Sequence, residues 1–368
     1  MIDWDVAVTT GIRFVRPGPQ VSLAEARSVV AELRELAGTV AEPVRELTGM
    51  FSAEDIGRVA VVDRPGWIRA NVDGFRVVLE PLVEHLRERG RAPNPGSVIA
   101  SVGSRITGMQ AGVILAYLAG RVLGQYELFL PPDPAAADGS APAGRLTLVA
   151  PNIVMVEQEL GVDPHDFRRW VCLHEETHRA QFTSVGWLRG YVQAQMTEFL
   201  LASDIDPATI AGRLRSAAEA VAGAVRGADG DADSLIEAIQ TPAQREILDR
   251  LTCVMTLVEG HGDYVMDAVG PAVVPSVADI RAKFNARRGS AGRLEQTIRR
   301  ILGIDLKMKQ YAQGSTFVRT VVQEAGMTTF NRVWTSPETL PTREELAEPA
   351  RWLERAGGES PGALTAGG

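Results

Sequence analysis

His174-Glu175-Glu176-Thr177-His178 sets two imidazoles four residues apart in the chain. On a helix, residues at that spacing stand one above the other on one face. Both rings can then reach the same point in space. The flanking residues support a helix. Asp163-Pro164-His165-Asp166 offers an N-cap acceptor, a proline at the first helical position and an acid in the first turn. Phe167, Val171, His174, His178 and Phe182 then follow one apolar stripe, so the two histidines face a core. Two buried rings on one face need a partner. Backbone carbonyls can satisfy them, as in ordinary core histidines, or a shared cation can. His-Glu-x-x-His on a helix is the arrangement in which two imidazoles hold zinc and the adjacent glutamate works as a base.

Composition sets the frame. The 368 residues are 45% hydrophobic and 23% charged, as expected for a globular chain large enough for two domains or one large one. The net charge of −8 provides no basic footprint for nucleic acid. Cys172 and Cys253 are the only cysteines, too few for a disulfide framework, and read as small buried fillers. The start, Met1-Ile2-Asp3-Trp4-Asp5, lacks a charged leader followed by an apolar run. The apolar stretch from Ile106 to Leu123 is broken by glycines, Gln110 and Arg121, which favours a buried helix over a membrane span. A cytoplasmic location is the expectation.

The pattern along the chain is mainly α with a small β-sheet. Helical periodicity runs over residues 22–38 and again through Val77 to Leu82, with a turn expected at Asp63-Arg64-Pro65-Gly66-Trp67. Gly90 to Gly96 reads as a boundary, and a small-residue helix over about 97–123 follows it. Gly124 to Leu130 and Arg145 to Val149 alternate like neighbouring strands. From 164 to 330 almost everything is helical, and residues after Gly357 form a loose tail. This divides the chain into an N-terminal helical region (1–95), a core (96–345) and a C-terminal extension (346–368).

A catalytic zinc takes three protein ligands. Of the five histidines, His85 sits among charges and His165 lies on a different face from His174. The third ligand is sought in Leu257-Val258-Glu259-Gly260-His261-Gly262-Asp263-Tyr264. Glu259 and Asp263 share a helix face, so one can bind the ion and the other can hold the free nitrogen of a ligating ring. His261 is about 200° around the helix from Glu259, so only one of them can ligate. Glu259 is favoured, leaving His261 or Tyr264 to face a substrate oxyanion. Gly260 and Gly262 are poor helix formers, and their presence suggests a close approach by the motif helix and its metal.

His174 to His178 followed by Glu259-x-x-x-Asp263 resembles the gluzincin branch of the zinc metallopeptidases, although the 81 positions between His178 and Glu259 exceed the spacing in many gluzincins. Most of residues 60–355 is also similar to a group of bacterial zincin-like hydrolases, or zinc-dependent metalloproteases. Some of that group are associated with biosynthesis of a deazaflavin coenzyme. The likeness rests on Gly124 to Pro131, the His174 motif, Glu259-Gly260-His261 with Val265-Met266-Asp267, Lys307-Met308-Lys309-Gln310-Tyr311 and Phe330 to Trp334. It implies a zincin-like core with extra helices and one Zn²⁺ held by His174, His178 and Glu259. Glu175 is then the general base on an activated water, and the substrate is a peptide or protein. Neither nucleic acid nor membrane is an expected partner. Residues 145–149 are the expected strand along the cleft. The alternative is an inert zincin-like scaffold that works as a binding or interaction protein.

Overall fold

Asp163 ends one loop and starts the motif helix, accepting a hydrogen bond from the Asp166 amide at 2.9 Å with Pro164 behind it. That helix is central in the computed structural model, which describes residues 2–51, 59–89, 98–132, 144–202, 212, 215, 242–289 and 304–356. In chain order its elements begin with α1 (Trp4–Phe14), α2 (Leu23–Thr39), α3 (Ala41–Thr48), β1 (Val59–Val62), α4 (Arg64–Glu88) and α5 (Val98–Ala119). Next come β2 (Gly124–Glu127), β3 (Arg145–Val149), α6 (Ala150–Leu160), the motif helix α7 (Pro164–Ser184) and α8 (Leu188–Leu201). After them are α9 (Pro242–Ala268), α10 (Val277–Gly289), α11 (Ile304–Phe330), a 3₁₀ turn at Asn331–Trp334, α12 (Arg343–Ala347) and α13 (Pro349–Ala356).

The sheet has the order β1-β3-β2, with β1 parallel and β2 antiparallel to β3. The two strands expected from alternation are neighbours. A third, Val59-Ala60-Val61-Val62, joins them from a run too short to stand out in the sequence. β3 is therefore the central strand, with Leu146, Thr147, Leu148 and Val149 fully buried. Both its edges are occupied, so the expectation that residues 145–149 line a cleft and pair with a peptide is corrected. The open edges belong to β1 and β2.

The residues expected to form a turn at 63–67 instead start α4. Asp63 caps it by accepting from the Gly66 amide at 2.7 Å. β1 comes from the N-terminal region, and Val29, Leu33 and Leu36 of α2 share one apolar core with Phe167 and Trp170 of α7 and Phe317 and Val318 of α11. A smaller cluster joins Trp67, Ile68 and Val72 of α4 to Leu115 and Ala119 of α5. Small residues on α5 do admit close packing: a Cβ on Gly108 would sit 2.2 Å from the Asp3 carbonyl oxygen of the α1 cap. Among the described residues no helix is long and apolar enough to cross a membrane. The boundary at 90–96 and the tail after Gly357 lie outside the described residues, as do the side chains of Lys307 and Lys309.

Candidate metal centre

α7 and α9 pack face to face, bringing a pair of rings to a carboxylate. His174 Nε2 and His178 Nε2 are 3.1 Å apart. Glu259 Oε2 lies 3.4 Å from the first and 3.7 Å from the second. Tetrahedral zinc with bonds of about 2.0–2.2 Å separates its ligand atoms by roughly 3.3–3.6 Å, so the donor set and its spacing fit this ion. Among the described residues these three form the only group of three or more potential ligands within such reach. The side chains of His174 and Glu259 remain 20% and 24% exposed, which leaves one side of the cluster open.

The close packing has a sequence cause. A Cβ on Gly262 would meet His174 Cε1 and Nδ1 at 2.9 Å, so only glycine lets the rings lie against α9. Gly260 has a different neighbour from the one expected. It faces α11, where a Cβ would fall 2.2 Å from the Gly314 carbonyl carbon.

Charges in the cluster reinforce one another. Burial on its own would raise the Glu259 carboxyl, but attraction to His178 and hydrogen bonds from both rings hold it well below the usual carboxylate range. Burial would likewise lower the His178 imidazole, and the facing Glu259 carboxylate raises it instead, to about 9. A cation must displace that proton to enter.

Glu175 is buried beside the cluster, and its Oε2 has no hydrogen-bond partner among the described residues. Burial raises its pKa, Glu259 adds to the rise, and His174 and His178 oppose it. Its carboxylate rests on β2, where a Cβ on Gly124 would come within 2.7 Å of Glu175 Cδ. The Val149 amide donates to the Leu123 carbonyl at 2.8 Å. By the alternation of antiparallel pairing, Gln125 and Glu127 then bond β3, and the backbone of Gly124 turns to the outer edge. This edge borders a cavity of about 610 Å³, walled by α4 on one side and by α7 and α9 on the other. Phe75, Phe182, Met196, Met255, Met266 and Phe284 give it an apolar lining.

A family model for zincin-like metallopeptidases matches residues 2–353. The chain belongs to that family. A crystal structure from Chloroflexus aurantiacus, described as "a putative hydrolase with a novel fold", is similar to it at 30% identity, covering 98% of this chain and 100% of that one with a TM-score of 0.68. No curated protein matches the chain. The zincin-like family implies a zinc-type metal, and His174, His178 and Glu259 are the residues able to hold one.

The other residues expected at this zincin-like site lie elsewhere. Asp263 borders the cavity, but its carboxylate faces Arg281 at 3.5 Å, and His174 Nδ1 is buried without a partner among the described residues. His261 is fully buried behind the cluster against Phe330 and Trp334, off the cavity wall, so it cannot meet a substrate oxyanion. Burial, aided by repulsion from His178, lowers its pKa to about 3, which keeps it neutral. Tyr264 also lies off the cavity wall, with the Arg319 guanidinium over its ring at 6.0 Å. Both oxyanion assignments are corrected. The step from Glu259 to positions 261 and 264 on a regular helix turns both off the cavity, and His261 meets Gln181 of α7 behind the cluster at 3.0 Å. Cys172 is buried and Cys253 half-buried, and neither joins the cluster. His165 is exposed, bonded to Glu32 at 2.7 Å. The residue missed was Gln181, whose Oε1 accepts from His178 Nδ1 at 2.9 Å. Its position three after His178 was the available signal.

Proposed function

We propose that this chain is a zinc-dependent peptidase that cleaves peptide bonds of a peptide or protein. The observation that carries the reading is Glu175: a buried carboxylate with an unpartnered oxygen, set between a three-ligand cluster and an open strand edge. A zinc ion held by His174, His178 and Glu259 would supply Lewis-acid chemistry, polarising a carbonyl and lowering the pKa of water. Glu175 takes the proton from the attacking water and later gives it to the leaving amine. Its raised pKa suits both duties, since it makes the carboxylate a better base than a solvated one. An extended substrate segment lies along β2 and uses backbone groups at Gly124, as strands add to an open sheet edge. The apolar wall accepts hydrophobic side chains.

The test is metal analysis joined to proteolysis of a mixed peptide library, read by mass spectrometry. Expected are stoichiometric zinc that His174→Ala removes, and cleavages that Glu175→Gln abolishes while retaining zinc. Cleavage by Glu175→Gln at the parent rate would overturn the reading.

A further inference from the structure

Gln181 is fully buried on α7, and one amide there meets three groups. Its Nε2 donates to the Val258 carbonyl at 3.0 Å. A carbonyl only accepts, so this bond decides which end of the amide faces α9. The Oε1 end is left against His178 Nδ1 at 2.9 Å, where it can only accept. His178 Nδ1 must therefore carry hydrogen, which leaves Nε2 to present its lone pair to the cluster. Gln181 Nε2 also lies 3.0 Å from His261 Nδ1, which must accept in turn. Val258 directly precedes Glu259, so the same amide links the second ring to the backbone beside the carboxylate.

We propose that Gln181 is the positioning residue of the metal centre, fixing the His178 tautomer and tying the helix of the two histidines to the helix of Glu259. This rests on the reading of that cluster as a metal site. It assigns to a neutral amide the supporting duty expected of Asp263. His261 completes the network as a neutral acceptor, held by the Phe330 and Trp334 rings at 5.0 and 5.7 Å.

The test compares the parent chain with Gln181→Met and Gln181→Glu. Methionine keeps the shape and removes both hydrogen-bonding ends. Glutamate keeps the acceptor for His178 and loses the donor to Val258. Zinc dissociation constants are measured by chelator competition, coordination by the visible spectrum of the cobalt(II) form, and folding by the unfolding midpoint of metal-free protein. Gln181→Met should weaken zinc binding by about 10–100-fold and alter the cobalt spectrum. Gln181→Glu should restore most of that affinity although its metal-free midpoint falls as well, a split that a purely structural role would not produce. The proposal is overturned if Gln181→Met binds zinc like the parent, or if Gln181→Glu loses as much as Gln181→Met. Should Gln181→Met fail to fold, the cobalt spectrum of Gln181→Glu decides: a parental spectrum supports the proposal and an altered one overturns it. A parent chain that binds neither metal would instead sink the metal-centre reading, and the proposal with it.

Discussion

The two walls of the cavity are built on opposite principles. The α7 and α9 wall carries the ionisable cluster among apolar residues such as Phe182, Met255 and Met266, and within it His174, His178 and Glu259 partner one another. The β2 and α4 wall consists of an exposed strand edge and apolar surface, with polar atoms spent on structure: Gln125 accepts from the Trp67 indole at 2.9 Å. One wall is suited to the reaction, the other to recognising an extended chain. The contrast teaches that reactive groups can be dense on one side only, because desolvating them is offset by pairing within the cluster, and a second charged wall would lack such partners.

The sharpest way to break this division is Glu175→Gln. Removing the proposed base from this wall should lower kcat by about 10²–10⁴-fold with zinc content unchanged. Equal losses of zinc and rate would mean that Glu175 supports the metal and is not the base.

Gly124→Ala attacks the same carboxylate from the other wall. Its new Cβ would stand 2.7 Å from Glu175 Cδ and displace it. A misplacement on the order of 1 Å can cost about 10²-fold in rate, again with zinc retained. A rate equal to the parent's would separate β2 from the chemistry.

Gly262→Ala should do the converse. Its Cβ would press on His174 at 2.9 Å, so zinc affinity, measured by chelator competition, should fall by roughly tenfold or more. Unchanged affinity would show that α9 can move away without opening the cluster.

The smallest expected effect is a pH dependence of folding. His261 has a folded pKa lowered to about 3 from an ordinary 6.5. Between those values the unfolded chain binds a proton that the folded chain does not, so stability falls as pH drops through 6.5 toward 3. At pH 5 this amounts to on the order of 2 kcal/mol. His261→Asn should show a shallower loss between pH 7 and pH 5 in urea unfolding of metal-free protein. An identical slope would place the acid sensitivity elsewhere.

Legibility in the sequence followed the range of each interaction. His174, Glu175 and His178 lie within one and a half turns of a helix, and helical geometry alone places the two rings together. The capping of α7 by Asp163 was equally local. The role of Asp263 was misjudged because i, i+4 spacing gives a shared face but not the neighbour on it, and Arg281 of α10 supplied one. Tyr264 and His261 failed for a related reason: proximity in sequence to Glu259 did not decide which way each side chain points. β1 escaped notice because four apolar residues gain strand identity only by pairing with β3, far along the chain. That same pairing turned residues 145–149 from a supposed edge into the buried centre.

By itself the sequence determined a helical protein with a small sheet, two histidines and a glutamate on one helix, and a second helix that had to come close at its glycines. These follow from bond geometry and periodicity, which act over a few residues. Only the tertiary structure decided which strand edge borders the cavity, which glycine admits the rings and which amide meets His178. Those depend on contacts between residues distant in sequence, where packing and the need to satisfy every buried polar group choose among partners that local rules leave equivalent.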